Sequence, residues 1–296
     1  MGAAAAVSAA PGDETGPAFS LLPKSLQKNP VLDLTVITEV TEEGKKVPVV
    51  SPAAPAYYVL HSAGFRQLGD PMAGESTVQE ADMERLLTRA LATNGYRATP
   101  PEQRPTLFII YTWGSHNLTS HVDWSEIDPI TTVGQTYPPR GAESAGQIQR
   151  NLLDRAALVG GDKFAQELRV MLRQADDMAM TAPAELFLMV NPIKLFKDRD
   201  PKNARLLEHA AEELYYVVAS AYDYAAVARN ERRLLWRTRM TVSSDGVSQP
   251  QTLGPLIATA APFFGKEMTG PEFIHKRVLD GKVEIGVPSV VDPKTK

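Results

Sequence analysis

The chain has 296 residues, of which 43% are hydrophobic and 22% are charged, so it can bury a core as one large domain or two small ones. This near-average composition excludes a disordered polymer, a coiled coil and a collagen-like repeat. The absence of cysteine excludes disulfide scaffolds, thiol catalysis, cysteine-ligated zinc and iron–sulfur clusters. The formal net charge of −4 means that the overall charge of the protein does not attract it to nucleic acid or anionic lipid.

Residues 1–30 are rich in Ala, Pro, Gly and Ser without periodicity, and this composition predicts a disordered arm. Residues 1–10 end in small side chains of the kind that precede a signal-peptidase cut, but a basic start and a longer apolar core are missing. Two interpretations stay open: the chain begins inside a bacterial signal peptide, or residues 1–10 are an alanine-rich tail of a cytoplasmic protein. We expect export, to the periplasm or as a secreted protein. Because no run of about twenty apolar residues occurs, no transmembrane helix is predicted.

The first β-rich stretches surround a charged turn. Residues 31–37 predict a strand, 42–46 a turn, and 47–50 the second strand of a possible hairpin. Pro48 would confine that second strand to a sheet edge. Residues 57–65 predict the next strand.

A helix between two strands is the clearest local pattern. Residues 77–93 carry an apolar stripe at helical spacing, and Thr77 with Glu80 fits a capping box. Asn94-Gly95 predicts the end of this helix. Residues 107–113 form the continuous apolar run of a buried strand, so strand, helix and strand predict a βαβ-like unit.

The middle of the chain, about 118–212, predicts a large and mainly helical insertion. Its first part, to about 145, is loop-like, and helices follow on either side of Gly160-Gly161. Residues 185–190 fit either a strand or a buried helix. Asp200-Pro201 has the residue types of an N-cap and a first helical position.

The last third predicts a second strand pair. Residues 214–224 could continue a helix, but their Tyr and Val content favours a strand. Residues 234–242 alternate between apolar and polar, which is typical of a half-buried strand. A short helix is predicted over 255–264, and Asp280-Gly281 predicts a hairpin turn within 278–283.

These elements predict an α+β fold in a single domain over 31–296. We expect a mixed sheet with the βαβ-like unit and a later β-hairpin, helices on one face of the sheet, and the helical insertion at about 118–212.

The densest group of reactive side chains lies in residues 115–128, directly after a predicted buried strand, where α/β proteins present site residues. His116, His121, Asp123 and Glu126 are the candidates there for metal ligands or an acid/base pair. Their spacing matches no zinc motif, so an ordinary polar surface loop is the alternative. Without a phosphate-binding glycine loop, we expect no nucleotide, and we predict no other cofactor.

Three arginines could make a basic stripe on one face of the sheet: Arg233, directly before the predicted strand over 234–242, and Arg237 and Arg239 within it. Nucleic-acid binding would need stacking aromatics on the same face, but Trp236 belongs to the opposite face. We therefore predict a solvated face or one covered by acidic helices, and no nucleic-acid partner.

The order of these elements resembles a known class of envelope proteins. The helix ending in Asn94-Gly95-Tyr96, the later strand ending in Asp223 and its partner with Leu234-Leu235-Trp236-Arg237 resemble small exported bacterial α/β lipoproteins of unknown function. The arrangement is also similar to the N-terminal domain of the periplasmic Tol-system β-propeller protein. This resemblance implies an envelope or secreted protein without an assigned activity and carries over no catalytic residue. The chain lacks the lipid-bearing cysteine of the lipoproteins, so we expect it to be soluble if it is exported.

Our first functional hypothesis is an exported, non-enzymatic binding or structural protein whose partner is an envelope protein or a small molecule. The alternative hypothesis is a metal-dependent or acid/base hydrolase that uses the 115–128 loop.

Overall fold

The computed structural model describes residues 30–69, 76–117, 145–181 and 192–277. Within these ranges the strands are β1 (Val31–Val40), β2 (Ala56–Leu68), β3 (Tyr96–Ala98), β4 (Leu107–His116), β5 (Leu214–Asp223), β6 (Leu234–Ser243) and β7 (Glu272–Arg277). The helices are α1 (Glu42–Lys45), α2 (Glu80–Ala92), α3 (Ala145–Thr181), α4 (Pro192–Arg199), α5 (Pro201–Ala210), α6 (Tyr224–Ala228) and α7 (Gln249–Ala260). A 3-10 turn, Ala261–Phe263, follows α7.

The seven strands lie in one mixed sheet with the order β3-β2-β4-β5-β6-β1-β7. β2 is parallel to β3 and β4, and the other neighbouring pairs are antiparallel. Helix α2 lies between parallel strands β2 and β4 in the chain, which confirms the βαβ unit. The antiparallel pair β5 and β6 confirms the later hairpin. The fold is therefore α+β, as predicted, and strands from both sides of the insertion share one sheet.

One face of the sheet carries the main apolar core. Alternate residues of β6, Trp236, Met240 and Val242, are buried there, as the period of two along the strand requires. Leu87 of α2 and Leu253 of α7 are fully buried in the same cluster. The predicted layer of helices on one face is thus built from α2 and α7.

The insertion helices form a second layer on the opposite face. A separate apolar cluster includes Leu168 of α3, Phe196 of α4 and Leu206 of α5, and Leu214 of the sheet joins it. α3 contacts β1 and β6, which places this layer over the half of the sheet farthest from β3.

A glycine-dependent kink divides α3, as the Gly160-Gly161 pair predicts. Gly161 has φ 85° and ψ 178°, a conformation that residues with a Cβ rarely adopt. A Cβ at this position would lie 2.8 Å from Oε1 of Glu39. Instead, the backbone N–H of Asp162 donates to that oxygen at 2.8 Å, so the kink joins the second half of α3 to β1.

The predicted capping box at the start of α2 is wrong. The N-cap is Gln79, and no side chain caps it by a hydrogen bond, so Thr77 lies outside the helix. The predicted stop is confirmed: the helix ends at Ala92, and Gly95 follows with φ 89°.

The predicted start of the last helix at Pro255 is also wrong. α7 begins at Gln249, and Pro255 lies inside it. Ser248 and Gln251 form a capping box, in which the N–H of Ser248 donates to Oε1 of Gln251 at 3.1 Å. The box supplies hydrogen-bond partners at the first turn of the helix, so α7 begins six residues before Pro255.

The hairpin predicted over 31–50 does not form. Residues 42–45 are the short helix α1, and 47–50 contain no strand. Both edges of β1 are occupied by distant strands, β6 on one side and β7 on the other. β7 was not predicted from the sequence, because its residues are mostly polar; in the structure most of them are exposed.

The strand over 214–223 is confirmed as β5. Three other predictions, the N-terminal arm, the ambiguous segment 185–190 and the hairpin turn within 278–283, lie outside the described residues.

Candidate functional site

Of the four predicted site residues, His116 alone lies in the described part of the chain, as the last residue of β4. His121, Asp123 and Glu126 fall outside it, so the structure does not bring the predicted group together. Across the described ranges, no group of three or more His, Asp and Glu side chains is placed to hold a metal ion.

The environment of His116 is that of a core residue. The residue is 4% exposed, and within the described residues its Nδ1 has no hydrogen-bond partner. Burial, with a smaller contribution from the positive charge of Arg155, lowers the pKa of His116 to about 3. The imidazole is therefore neutral at pH 7.

Arg155 in α3 lies next to His116 and is only 1% exposed. Its Nε donates to the carbonyl of Ala210 at 2.6 Å, and its Nη1 donates to the carbonyl of His116. Burial lowers its pKa to about 10, so it is still charged at pH 7. Arg155 thus connects α3 to the ends of α5 and β4. In sequence it is one basic residue of an amphipathic helix, and no local signal marks it for burial.

The arginines of β6 are neutralised by acidic partners. Arg239, whose side chain is 5% exposed, pairs with Glu39 of β1 and Asp162 of α3. Arg237 donates to the hydroxyl of Ser220 at 3.0 Å and lies 3.7 Å from Asp162. An acidic residue of α3, Asp162, therefore pairs with the arginines on this face of β6. This agrees with the prediction of a face covered by acidic helices, and these two arginines do not form a free basic stripe.

A cavity of about 530 Å³ lies on the other side of the sheet, between α2 and α7. We call it the α2–α7 cleft. Its apolar wall includes Leu86 and Ala90 of α2 with Ile257 and Ala258 of α7. The cleft is open because α7 carries small residues on this side. A Cβ added to Gly254, for example, would have Cδ2 of Leu86, 3.9 Å away, as its nearest neighbour.

Basic side chains line the same cleft. Arg89 comes from the last turn of α2 and Lys276 from the end of β7, whereas the side chain of Arg277 alternates to the face of β7 on which Phe273 and His275 meet Arg205 of α5. Lys276 donates to the hydroxyl of Thr259 at 3.0 Å, which ties β7 to α7. The residues described as lining the cleft include no Asp, Glu or His, so it offers apolar surface and positive charge but no carboxylate or imidazole for proton transfer.

Sequence reasoning missed this cleft because its walls come from segments about 170 residues apart. The helical stripe of α2 and the exposed end of β7 are ordinary features by themselves. The one local signal is Gly254-Pro255 inside a helix, where both residue types are unfavourable.

No protein-family model matches the chain, and no curated protein is similar to it at a significant level. No helix in the described ranges is long and apolar enough to cross a membrane.

Proposed function

We propose that this chain is a non-enzymatic binding protein that takes a small molecule into the α2–α7 cleft. The observation that carries the proposal is the cleft itself: 530 Å³ is within the range of ligand sites, and its wall is apolar with a few charged groups. Both walls are helices packed on the sheet through buried residues, so the space is held by the core.

The lack of an acid or base in the described lining favours binding over catalysis. General acid–base chemistry needs a titratable group within hydrogen-bond reach of the substrate, and here the polar groups are the cations of Arg89 and Lys276 and hydroxyls such as that of Thr93. The alternative hydrolase hypothesis receives less support, because the His116 imidazole is buried and neutral.

Filling the cleft tests the proposal. We expect Gly254→Phe to weaken binding of Nile red, a neutral apolar dye, by at least about tenfold, since the ring would be added at a position that lines the cleft and whose Cβ would have Cδ2 of Leu86, 3.9 Å away, as its nearest neighbour. The measurement is a fluorescence titration of the full chain.

Gly254→Ala is the matched control. It adds one methyl group in open space, so dye affinity should stay within about twofold. Pro255 follows directly and disfavours a helical residue with a Cβ before it, so the free energy of unfolding should not show the gain of about 0.5–1 kcal/mol that alanine gives over glycine elsewhere in a helix. Equal dye binding by the wild type and Gly254→Phe would overturn the assignment of the site.

We further propose that the protein acts in the bacterial envelope, periplasmic or secreted. The support is the small-residue sequence of residues 1–10 and an order of elements that resembles that of exported lipoproteins. Mass spectrometry of the natively produced protein should find a new N-terminus after the small residues in the periplasmic or secreted fraction. An intact N-terminus in a cytosolic fraction would contradict export.

A further inference from the structure

His275 of β7 contacts two other elements on the face of the sheet that carries the insertion helices. Its Nδ1 lies 2.5 Å from Oδ1 of Asp33 in the neighbouring strand β1, and its Nε2 lies 2.8 Å from Nη2 of Arg205 in α5. The Cζ atom of Arg205 also lies 4.1 Å from the centroid of the Phe273 ring, two residues earlier in β7. In the described sheet β7 is the last strand and pairs with β1 alone, so side chains such as these connect it to the insertion layer.

The donors and acceptors in this group fix the state of the imidazole. A guanidinium has N–H donors and no acceptor, so Nε2 of His275 accepts from Arg205 through its lone pair. The ring proton is then on Nδ1, which donates to the carboxylate of Asp33. His275 is therefore neutral in this arrangement, and its two neighbours set the tautomer.

A second proton on the imidazole is incompatible with the contact to Arg205. An imidazolium carries N–H groups at both nitrogens, so its Nε2 would face the guanidinium as donor against donor and as like against like charge. The contact to Asp33 would become an ion pair and grow stronger. Acid thus removes the hydrogen bond between β7 and α5 while it strengthens the one between β7 and β1. The side chain of His275 is 58% exposed, so protons reach it from solvent.

Two further charged or titratable side chains lie near this group. Arg277 alternates to the same face of β7 and brings a second positive charge to it. His209 lies one turn after Arg205 on α5, but its ring nitrogens contact Glu212 and Thr241. Within the described residues, His275 is thus the histidine whose protonation acts on the contact between α5 and β7.

We infer that Asp33, His275 and Arg205 form a pH switch, which holds α5 of the insertion layer to the edge strand β7 at neutral pH and releases α5 when His275 gains a proton. Histidine is the side chain that ordinarily changes its charge between pH 5 and pH 8, so the switch operates in that range. The switch is independent of the proposed ligand site, because none of the three residues lines the α2–α7 cleft.

A mutant cycle at two pH values tests the coupling. Arg205→Met removes the donors and keeps most of the side-chain length, and His275→Gln keeps an acceptor that cannot be protonated. In urea denaturation of the full chain, we expect Arg205→Met to raise the unfolding equilibrium constant by a factor at least about threefold larger at pH 8 than at pH 5. In the His275→Gln background the two factors should be equal. The contribution of His116 cancels, because both proteins of each pair contain it.

Lys202→Met is the matched control for the loss of a positive charge, because Lys202 is an exposed cation one turn before Arg205 on α5. Its effect on the unfolding equilibrium constant should be the same at both pH values. Equal effects of Arg205→Met at pH 8 and pH 5 would overturn the switch.

The tautomer of His275 gives a direct readout at pH 8. The nitrogen NMR signals of its ring, assigned by their loss in His275→Gln, should show a proton on Nδ1 and a free lone pair on Nε2. A proton on Nε2 at pH 8 would overturn the switch, because Arg205 then has no acceptor there.

Release of α5 is measured separately. Because the chain contains no cysteine, nitroxide labels attach specifically to Lys202→Cys in α5 and Glu272→Cys in β7, both at exposed positions. Electron paramagnetic resonance should show a longer or broader distribution of label distances at pH 5 than at pH 8. Adding His275→Gln should abolish this difference. Identical distributions at the two pH values, or the same difference with and without His275→Gln, would show that His275 does not release α5.

Discussion

Replacing Arg155 by alanine should lower the free energy of unfolding by about 2–4 kcal/mol, measured by urea denaturation, because the lost hydrogen bonds and packing outweigh the relief of a desolvated charge. The side chain is 1% exposed and donates to the carbonyls of Ala210 and His116. Its removal takes away the hydrogen bonds that these two buried carbonyl oxygens accept from Arg155, at about 1–3 kcal/mol each, and opens a cavity. The change thus removes the connection of α3 to both α5 and β4.

Two further variants separate the causes. Arg155→Met keeps most of the volume and removes the donors, so its loss should be smaller than that of the alanine variant. Arg173→Ala is the matched control, because Arg173 is an exposed arginine of the same helix, and it should change the stability by no more than about 0.5 kcal/mol. A loss below about 1 kcal/mol for Arg155→Ala would show that the buried guanidinium does not hold the insertion.

Acidification should destabilise the protein through His116. Its pKa is about 3 in the folded chain, because burial disfavours the charged imidazolium, and about 6.5 in an unfolded chain. Between these values the unfolded chain binds more protons, so the free energy of unfolding falls as the pH falls through 6.5 toward 3. The contribution of this residue amounts to about 2 kcal/mol between pH 7 and pH 5.

The difference between variants isolates this contribution from that of the carboxylates. His116→Gln cannot titrate, so its stability should fall by about 2 kcal/mol less than that of the wild type between pH 7 and pH 5. His61 lies exposed on β2, and His61→Gln should keep the full wild-type loss. Parallel stability curves for the wild type and His116→Gln would contradict the burial of a neutral imidazole.

Several local features of the fold were predictable because their causes are local. The alternation along 234–242 reflects the period of two that places Trp236 and Met240 on one face of β6. The break at Gly161 follows from its positive φ, a conformation that residues with a Cβ rarely adopt. The stop at Gly95 has the same kind of cause: a Cβ there would lie 2.1 Å from the carbonyl oxygen of Ser51.

The failures share a different cause, which is competition from distant segments. A local hairpin over 31–50 loses to β6 and β7, which pair with the two edges of β1 across about 200 and about 240 residues of sequence. Pro255 has the features of a helix start, but the capping box of Ser248 with Gln251 provides an earlier one. His116 belongs to a polar sequence segment, yet β4 carries it into the interior beneath Arg155.

The sequence by itself therefore determined the α+β class, the βαβ unit, the strand pair β5–β6 and the helical character of α3 and α5, because each depends on periodicity and on residues near in the chain. Only the tertiary structure decided which charged groups are buried and where a ligand can enter. Arg155 and Arg89 are both basic residues on amphipathic helices, but one is sealed between α5 and β4 while the other lines an open cleft. The difference lies in what packs against each side chain, and that is settled by segments far away in the chain.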